Sequence, residues 1–252
     1  MPIKSKLLIR LYATRLLRVA KKRKKYKELE RALGIDSTLL ARYVAGSVLP
    51  GDQQARKIID TLGGRRLLAD ILRSHVEEHG GYIDLVPLLA DIDYLCSLSL
   101  DLALRYASER VTAILVPETS GISLASLIAS HLDARLVVAR RRKENPLSKY
   151  EEEHLVAPPN IRRSFYIRKN LLDERDHVLI VDDIIHSGLT LHVVTRIAQR
   201  VGASLVGVSS VVVIGNRWKR AGLEKLRVET VLEYPGLALL GRSNVFEGER
   251  EY

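Results

Sequence analysis

The chain has 252 residues, of which 46% are hydrophobic, and a formal net charge of +10 at pH 7. That length supports one sizeable hydrophobic core with a smaller one, and therefore one or two domains. The single cysteine, Cys96, excludes an intramolecular disulfide and a cysteine-based zinc cluster. The apolar stretch at residues 7–17 contains Arg10 and Arg15, so it is too short and too charged for a signal peptide or a membrane span, and we expect a cytoplasmic protein.

The positive charge is concentrated in the N-terminal quarter of the chain. Residues 1–64 contain 15 Lys and Arg against 5 Asp and Glu, whereas residues 65–252 contain 25 of each kind. The densest cationic run is KKRKK at residues 21–25. This asymmetry predicts a module that binds a polyanion, joined to a neutral domain. The alternative interpretation of the run is a solvated helix end.

The apolar spacing in this basic region predicts four helices. The first spans residues 7–22, and the second ends at Gly34. Asp36 or Ser37 can cap a third helix, and a fourth spans residues 53–62. Two short helices around a glycine turn form a helix-turn-helix, so we expect a small all-α domain at the start of the chain.

The segment at residues 26–50 resembles the DNA-binding helix-turn-helix of the lambda-repressor-like group, which lays its second helix in the major groove. The resemblance implies that residues 1–64 form a DNA-binding domain, in which Arg42 contacts a base or a phosphate and the lysines provide salt-dependent affinity. The candidate DNA contacts are Ser37, Thr38, Arg42, Lys24, Lys25 and Lys27. The alternative is a helical dimerisation or docking domain with a basic surface.

A domain boundary is predicted near Gly63 and Gly64, followed by an amphipathic helix over residues 67–76. Residues 65–252 then alternate between helical and strand patterns, as in a parallel α/β domain. The predicted helices are 100–108, 122–131 and 191–201, and the predicted strands are 113–116, 136–139, 164–167, 178–181 and 205–214. This order predicts a parallel core sheet of about five strands with helices between them.

The most informative segment is VLIVDDIIHSGLT, residues 178–190. Its four apolar residues are typical of a parallel strand buried on both faces, so Asp182 and Asp183 follow at the carboxyl end, where open α/β sheets bind ligands. Ser187 and Gly188 let backbone N–H groups approach a phosphate at the start of a helix. Two carboxylates can accept hydrogen bonds from ribose hydroxyls, directly or through magnesium-bound water, so the segment indicates a ribose 5-phosphate ligand.

This segment resembles the signature of the type I phosphoribosyltransferases: an apolar strand, two acids, a short variable stretch, Thr or Ser before Gly, and a further Thr. The resemblance implies that Asp182 and Asp183 act in catalysis by holding the ribose hydroxyls of phosphoribosyl pyrophosphate (PRPP), with Mg²⁺ bound indirectly. The implied 5-phosphate turn consists of His186, Ser187, Gly188, Leu189 and Thr190. The implied fold is an α/β type I phosphoribosyltransferase fold, with a parallel five-stranded core sheet flanked by helices and a hood, preceded here by the helix-turn-helix domain.

Two further loops resemble family loops by their order in the chain. Residues 117–125, PETSGISLA, resemble the pyrophosphate-binding loop of the purine phosphoribosyltransferases, although the basic residue that the family often keeps there is absent. The implied pyrophosphate contacts are Glu118, Thr119, Ser120 and Gly121. After the strand at 136–139, Arg142 and Lys143 are the implied catalytic cations that meet pyrophosphate. The stretch up to residue 163 is expected to be a long loop without regular structure that serves as the catalytic hood.

The whole layout resembles the xanthine and adenine phosphoribosyltransferases, the bacterial purine repressors built on the same domain, and archaeal phosphoribosyltransferase-like proteins with a helix-turn-helix in front. One hypothesis is therefore a transcriptional regulator of double-stranded DNA whose second domain binds PRPP or a purine nucleotide as effector. The other is an active purine phosphoribosyltransferase that makes a nucleoside monophosphate and pyrophosphate, with the N-terminal helices serving oligomerisation.

The charge partition favours the regulator, and so do Glu151, Glu152 and Glu153, because a loop that closes over a polyanionic substrate would ordinarily carry bases. Both hypotheses imply Mg²⁺ bound together with PRPP. Both also imply a homodimer, or a tetramer of dimers.

Overall fold

The computed structural model describes residues 3–78, 83–157, 161–221, 223 and 225–235. Within these residues a helical head (residues 3–62) precedes a parallel α/β domain that begins at residue 65 and is called the sheet domain below, as the sequence predicted. The helices are α1 (Ile3–Lys21), α2 (Tyr26–Leu33), α3 (Ser37–Ala45), α4 (Asp52–Leu62), α5 (Arg65–Glu78), α6 (Val86–Ala90), α7 (Ile92–Arg105), α8 (Ile122–Leu132), α9 (Leu189–Arg200) and a 3-10 helix (Arg217–Ala221). None of the described helices has the length and apolar character needed to cross a bilayer.

The core sheet contains five parallel strands in the order β2-β1-β5-β6-β7. These strands are β1 (Ala113–Pro117), β2 (Arg135–Ala139), β5 (His177–Ile185), β6 (Ser204–Ile214) and β7 (Val228–Tyr234). The apolar residues of β1 and of the first half of β5 are fully buried, which fits a sheet covered by helices on both faces. The carboxyl ends of β1, β2 and β5 therefore lie at one edge of the sheet.

A separate antiparallel hairpin, β3 (Tyr150–Ala157) with β4 (Ile161–Arg168), corrects two predictions. The expected irregular loop contains a strand, and residues 164–167, expected in the core sheet, belong to this hairpin instead. The fifth core strand is β7, which the sequence reading missed. The count of five and four of its members are confirmed, and the member at residues 164–167 was wrong, because strand pairing over long sequence distances is not encoded in local alternation.

The head contains the predicted arrangement of two short helices around a turn. Gly34 ends α2 in the left-handed conformation with φ 61°, which favours glycine. The Asp36 side chain caps α3 by accepting a hydrogen bond from the Thr38 backbone N–H at 2.8 Å. Buried Leu29, Leu33 and Leu40 join residues of α1 and α4 in a small core.

Helix α1 lies between two hydrophobic cores. Its Leu17 and Ala20 are buried in the small core of the head, whereas Leu8 and Leu16 are buried against the helices of the sheet domain. The predicted boundary near residue 64 stays a prediction, because in space α1 contributes to both sides of it.

A buried carboxylate on α7 ties the head to the sheet domain. The Tyr12 hydroxyl donates to Asp101 Oδ1 at 3.0 Å, and Arg65 Nε lies 2.7 Å from Asp101 Oδ2. The Asp101 side chain is 3% exposed, and Arg65 also reaches Glu229 of β7 at 3.3 Å. Burial, together with the Asp101 charge, raises the pKa of Tyr12 above its ordinary value. The three helices α1, α5 and α7 are thus joined through one buried side chain.

Replacing this group should destabilise the whole chain. Asp101→Ala leaves the Arg65 guanidinium and the Tyr12 hydroxyl without their buried partner, so we expect the free energy of unfolding to fall by about 3 kcal/mol. The control is Asp70→Ala, which breaks the exposed Asp70–Arg73 pair and should cost about 0.5 kcal/mol or less. Urea unfolding measures both, and equal effects would contradict the assignment.

Candidate functional site

A cleft of about 350 Å³ lies at the carboxyl edge of the core sheet, between the loops that follow β1, β2 and β5. The predicted site residues that line it are Glu118, Thr119, Ser120, Asp182, Asp183, His186, Ser187, Gly188 and Thr190. The structure therefore brings the three predicted loops to one place. A larger cleft of about 440 Å³, beside Arg168 and Arg200, lies at the base of the hairpin and contains none of these residues.

Asp182 and Asp183 are the two acids at the end of β5. The Asp183 backbone N–H donates to Asp182 Oδ1 at 3.0 Å, and the Ile184 N–H donates to Asp183 Oδ1 at 2.9 Å. Burial, with the adjacent Asp183 charge, raises the pKa of the Asp182 carboxyl well above its ordinary value. The pair is thus held at an energetic cost that a bound cation or a hydroxyl donor would relieve.

The phosphate turn follows directly after β5. Gly188 has φ 77° and caps the N-terminus of α9, so the backbone N–H groups of the helix start are directed toward the cleft. A Cβ on Gly188 would lie 2.7 Å from Trp218 Cα, so the turn is fixed by close contact with the 3-10 helix. Burial and the Arg217 charge lower the pKa of His186, which favours its neutral form at pH 7. Leu189 begins α9 and lies outside the cleft lining.

The loop after β1 approaches the two acids closely. A Cβ on Gly121 would lie 3.3 Å from the Asp183 backbone nitrogen and 3.4 Å from Asp182 Cα. Gly121 therefore packs against the backbone of the two acids and is outside the cleft lining. Thr119 and Ser120 line the cleft. The Glu118–Thr119 peptide bond is cis.

Among the described residues, the cation that lines the cleft is Arg141, which the sequence reading missed. The predicted cations lie outside the cleft lining: Arg142 is exposed, and Lys143 Nζ lies 2.6 Å from Glu152 Oε2. Strand periodicity could have found Arg141. Val137 and Ala139 are buried on one face of β2, and an extended continuation places Arg141 on that same face. Its guanidinium lies 5.9 Å from the centre of the buried Phe165 ring.

The acids of the hairpin are paired with cations. Glu151 contacts Lys169 at 3.0 Å, and Glu152 contacts Lys143. The buried Glu153 contacts Arg196 and Arg200 of α9. These carboxylates hold the hairpin against its neighbours and are neutralised locally. They therefore do not disfavour a polyanionic ligand in the cleft. The sequence-based expectation that these acids favour a regulator loses its basis.

The cleft suits a magnesium ion that arrives with its ligand. Asp182 and Asp183 offer carboxylate oxygens, which Mg²⁺ prefers. Among the described residues no group of three or more His, Cys, Asp or Glu side chains converges on a metal position. The two acids alone leave room for ligand oxygens and water, so they fit an ion that is held jointly with a phosphorylated ligand.

The sequence model of the phosphoribosyl transferase domain matches residues 98–232, which include every element of this cleft. The chain belongs to the phosphoribosyl transferase domain family. A xanthine phosphoribosyltransferase of Alkaliphilus metalliredigens is 30% identical over 145 residues, which cover 56% of this chain and 72% of the relative. The matched family region begins at residue 98, so it does not include the helical head.

Solved structures of adenine phosphoribosyltransferases share the fold. The enzyme of Thermoanaerobacter pseudethanolicus gives a TM-score of 0.56 at 19% identity and covers 61% of this chain and 88% of its own. The enzyme of Rhodothermus marinus gives a TM-score of 0.54 at 25% identity, with 60% and 86% covered. The sequence relative is a phosphoribosyltransferase, which favours an enzyme over a regulator.

The phosphate turn should not tolerate a side chain at Gly188. Gly188→Ala combines a positive φ with a clash against the Trp218 backbone, so we expect a loss of about 2 kcal/mol in unfolding free energy. Gly51→Ala is the control, because Gly51 has φ −65° and a Cβ added there would meet no atom within 4 Å, and it should change stability by about 0.5 kcal/mol or less. A Gly188→Ala variant as stable as Gly51→Ala would contradict this interpretation of the turn.

We expect the Asp182 carboxylate to lower the stability of the fold and to strengthen ligand binding. Its folded-state pKa lies above the ordinary value, so stability falls as the pH rises from the ordinary carboxyl pKa toward the raised one, because the unfolded state loses its proton first. At pH 7 Asp182→Asn should therefore raise the melting temperature by about 2–4 °C, while weakening binding of a magnesium-bound phosphorylated ligand by about tenfold or more. The gain should disappear in acid, where Asp182 is protonated in both states. Thermal unfolding from about pH 3 to 8 and calorimetry measure these effects, and a variant less stable at pH 7 would refute the argument.

Proposed function

We propose that the protein is a purine phosphoribosyltransferase that binds PRPP as its magnesium complex. The observation that carries the proposal is the meeting of the two β5 acids, the loop after β1, the turn before α9 and Arg141 in one cleft. The acids match the ribose hydroxyls of PRPP, the loop and Arg141 match its pyrophosphate, and the turn matches its 5-phosphate. The xanthine and adenine specificities of the relatives favour an acceptor among the purine bases.

Each group of residues binds a different part of PRPP. The turn at 186–190 binds the 5-phosphate with backbone N–H groups at the start of α9. Asp182 and Asp183 accept hydrogen bonds from the ribose hydroxyls and stabilise positive charge as the bond from the ribose to the pyrophosphate breaks. Arg141 and the Thr119 and Ser120 hydroxyls stabilise the departing pyrophosphate. A bound Mg²⁺ would neutralise part of the pyrophosphate charge.

A direct assay tests this proposal. The protein is incubated with PRPP, Mg²⁺ and adenine, guanine, hypoxanthine or xanthine in turn, and pyrophosphate release is followed. We expect release with at least one base, and loss of release in the Asp182→Asn, Asp183→Asn double variant. The absence of release with all four bases would refute the enzymatic proposal.

A second function, binding of double-stranded DNA by the head, is favoured by the exposed cations around α3. Thr38 and Arg42 are exposed on α3, and Lys24, Lys25 and Lys27 are exposed around the start of α2. The Ser37 hydroxyl instead donates to Glu30 within the turn, so it is the weakest of the candidate DNA contacts. A dimer, or a tetramer of dimers, would place two such surfaces side by side and stays a prediction.

Salt dependence tests the DNA proposal. The Lys24→Gln, Lys25→Gln, Lys27→Gln triple variant should weaken binding to duplex DNA and reduce the slope of log affinity against log salt by about 1 for each lost phosphate contact. The control removes three exposed lysines outside the head, Lys149, Lys219 and Lys225. Equal losses in the two variants, or no binding by the wild type at low salt, would overturn the proposal.

A further inference from the structure

An acidic residue, Glu118, stands in the loop that is proposed to bind pyrophosphate. A carboxylate beside a polyanionic ligand is electrostatically unfavourable, so its presence in the cleft lining requires a physical reason. Its side chain is 27% exposed, and its carboxylate contacts neighbouring protein groups.

Glu118 makes its polar contacts with the end of β2 and the residues that follow it. Its backbone N–H donates to the Ala139 carbonyl at 2.9 Å. The Arg141 backbone N–H donates to Glu118 Oε2 at 2.9 Å, and Arg140 Nη1 lies 3.5 Å from Glu118 Oε1. The side chain thus spans from the loop after β1 to the end of β2 and binds two consecutive residues there.

The first of these two residues also joins the hairpin. The Arg140 N–H donates to the Tyr166 carbonyl at 2.9 Å, and the Tyr166 N–H donates to the Arg140 carbonyl at 2.8 Å. Arg140 is therefore held by backbone bonds on one side and by the Glu118 carboxylate on the other. Arg141 comes next, and its side chain enters the cleft lining near Phe165.

We propose that Glu118 is a positioning residue for phosphoribosyl transfer, whose carboxylate fixes the Arg140–Arg141 backbone so that the Arg141 guanidinium meets the pyrophosphate. This inference rests on the proposed function. The Arg140 side chain compensates the Glu118 charge, so the charge of Arg141 remains available to the ligand. The loop itself has no basic residue. Glu118 instead positions the guanidinium of Arg141, which follows the neighbouring strand β2.

Two substitutions separate positioning from a direct electrostatic role. Glu118→Gln keeps an oxygen that can accept the Arg141 N–H but removes the charge, whereas Glu118→Ala removes both. If Glu118 positions Arg141 through that hydrogen bond, the Gln variant retains function and the Ala variant loses it. If the charge itself were required, for example at a metal ion, the two variants would fail alike.

The experiment measures binding of magnesium pyrophosphate by calorimetry, together with KM for PRPP, KM for the base and kcat. We expect Glu118→Ala to weaken pyrophosphate binding and to raise KM for PRPP by about tenfold, with KM for the base unchanged. Glu118→Gln should remain within about threefold of wild type, and Arg141→Ala should match Glu118→Ala. In the Glu118→Ala, Arg141→Ala double variant the two losses should not add, because Glu118 acts through Arg141.

Glu144→Ala is the matched control. Glu144 also pairs with Arg140, at 3.2 Å, but its side chain is 66% exposed and does not line the cleft. This variant should bind pyrophosphate like the wild type, and circular dichroism should show that all variants are folded.

Each outcome has a distinct meaning. Wild-type pyrophosphate binding by Glu118→Ala, equal failure of the Gln and Ala variants, or additive losses in the double variant would overturn the positioning role. A wild-type protein that binds magnesium pyrophosphate without turning over PRPP would refute the proposed function while leaving the binding test of Glu118 intact. A wild type that does not bind pyrophosphate would overturn both.

Discussion

The parallel pairing of β1 with β5 is the constraint on which the site depends. Ala113, Ile114 and Leu115 pair with Val178, Leu179 and Ile180, so the two strands run together and end at the same edge. The loop after β1 then lies against the two acids near the end of β5, closely enough that a Cβ at position 121 would crowd their backbone. A shift of this register would separate the proposed pyrophosphate loop from the proposed ribose acids and leave neither with a partner.

The sequence alone located the acids and the phosphate turn because their signals are local. Four buried apolar residues before Asp182 define the strand, and a glycine before a helical pattern defines the turn. The two head helices were predictable for the same reason, since Gly34 and Asp36 give the end of one helix and the start of the next. In each case, residues a few positions apart determine the backbone conformation.

The features that the sequence reading missed depend on distant partners. A strand that contains Glu151, Glu152 and Glu153 looks like a solvated loop until Lys169, Lys143 and the arginines of α9 are placed beside it. Strand β7, VETVLEY, alternates too weakly to distinguish a sheet edge from a loop. Arg141 is the exception, because the alternation of β2 could have indicated it, whereas the contacts of Glu118 exist only when β2 lies beside β1.

The position of α1 has a consequence for how the protein can be divided. Because one face of this helix completes the core of the head and the other covers helices of the sheet domain, neither part possesses a finished surface without it. A fragment that starts at residue 65 would expose the apolar surface that Leu8 and Leu16 normally cover. The head and the sheet domain therefore share one apolar interface, and α1 is part of both cores.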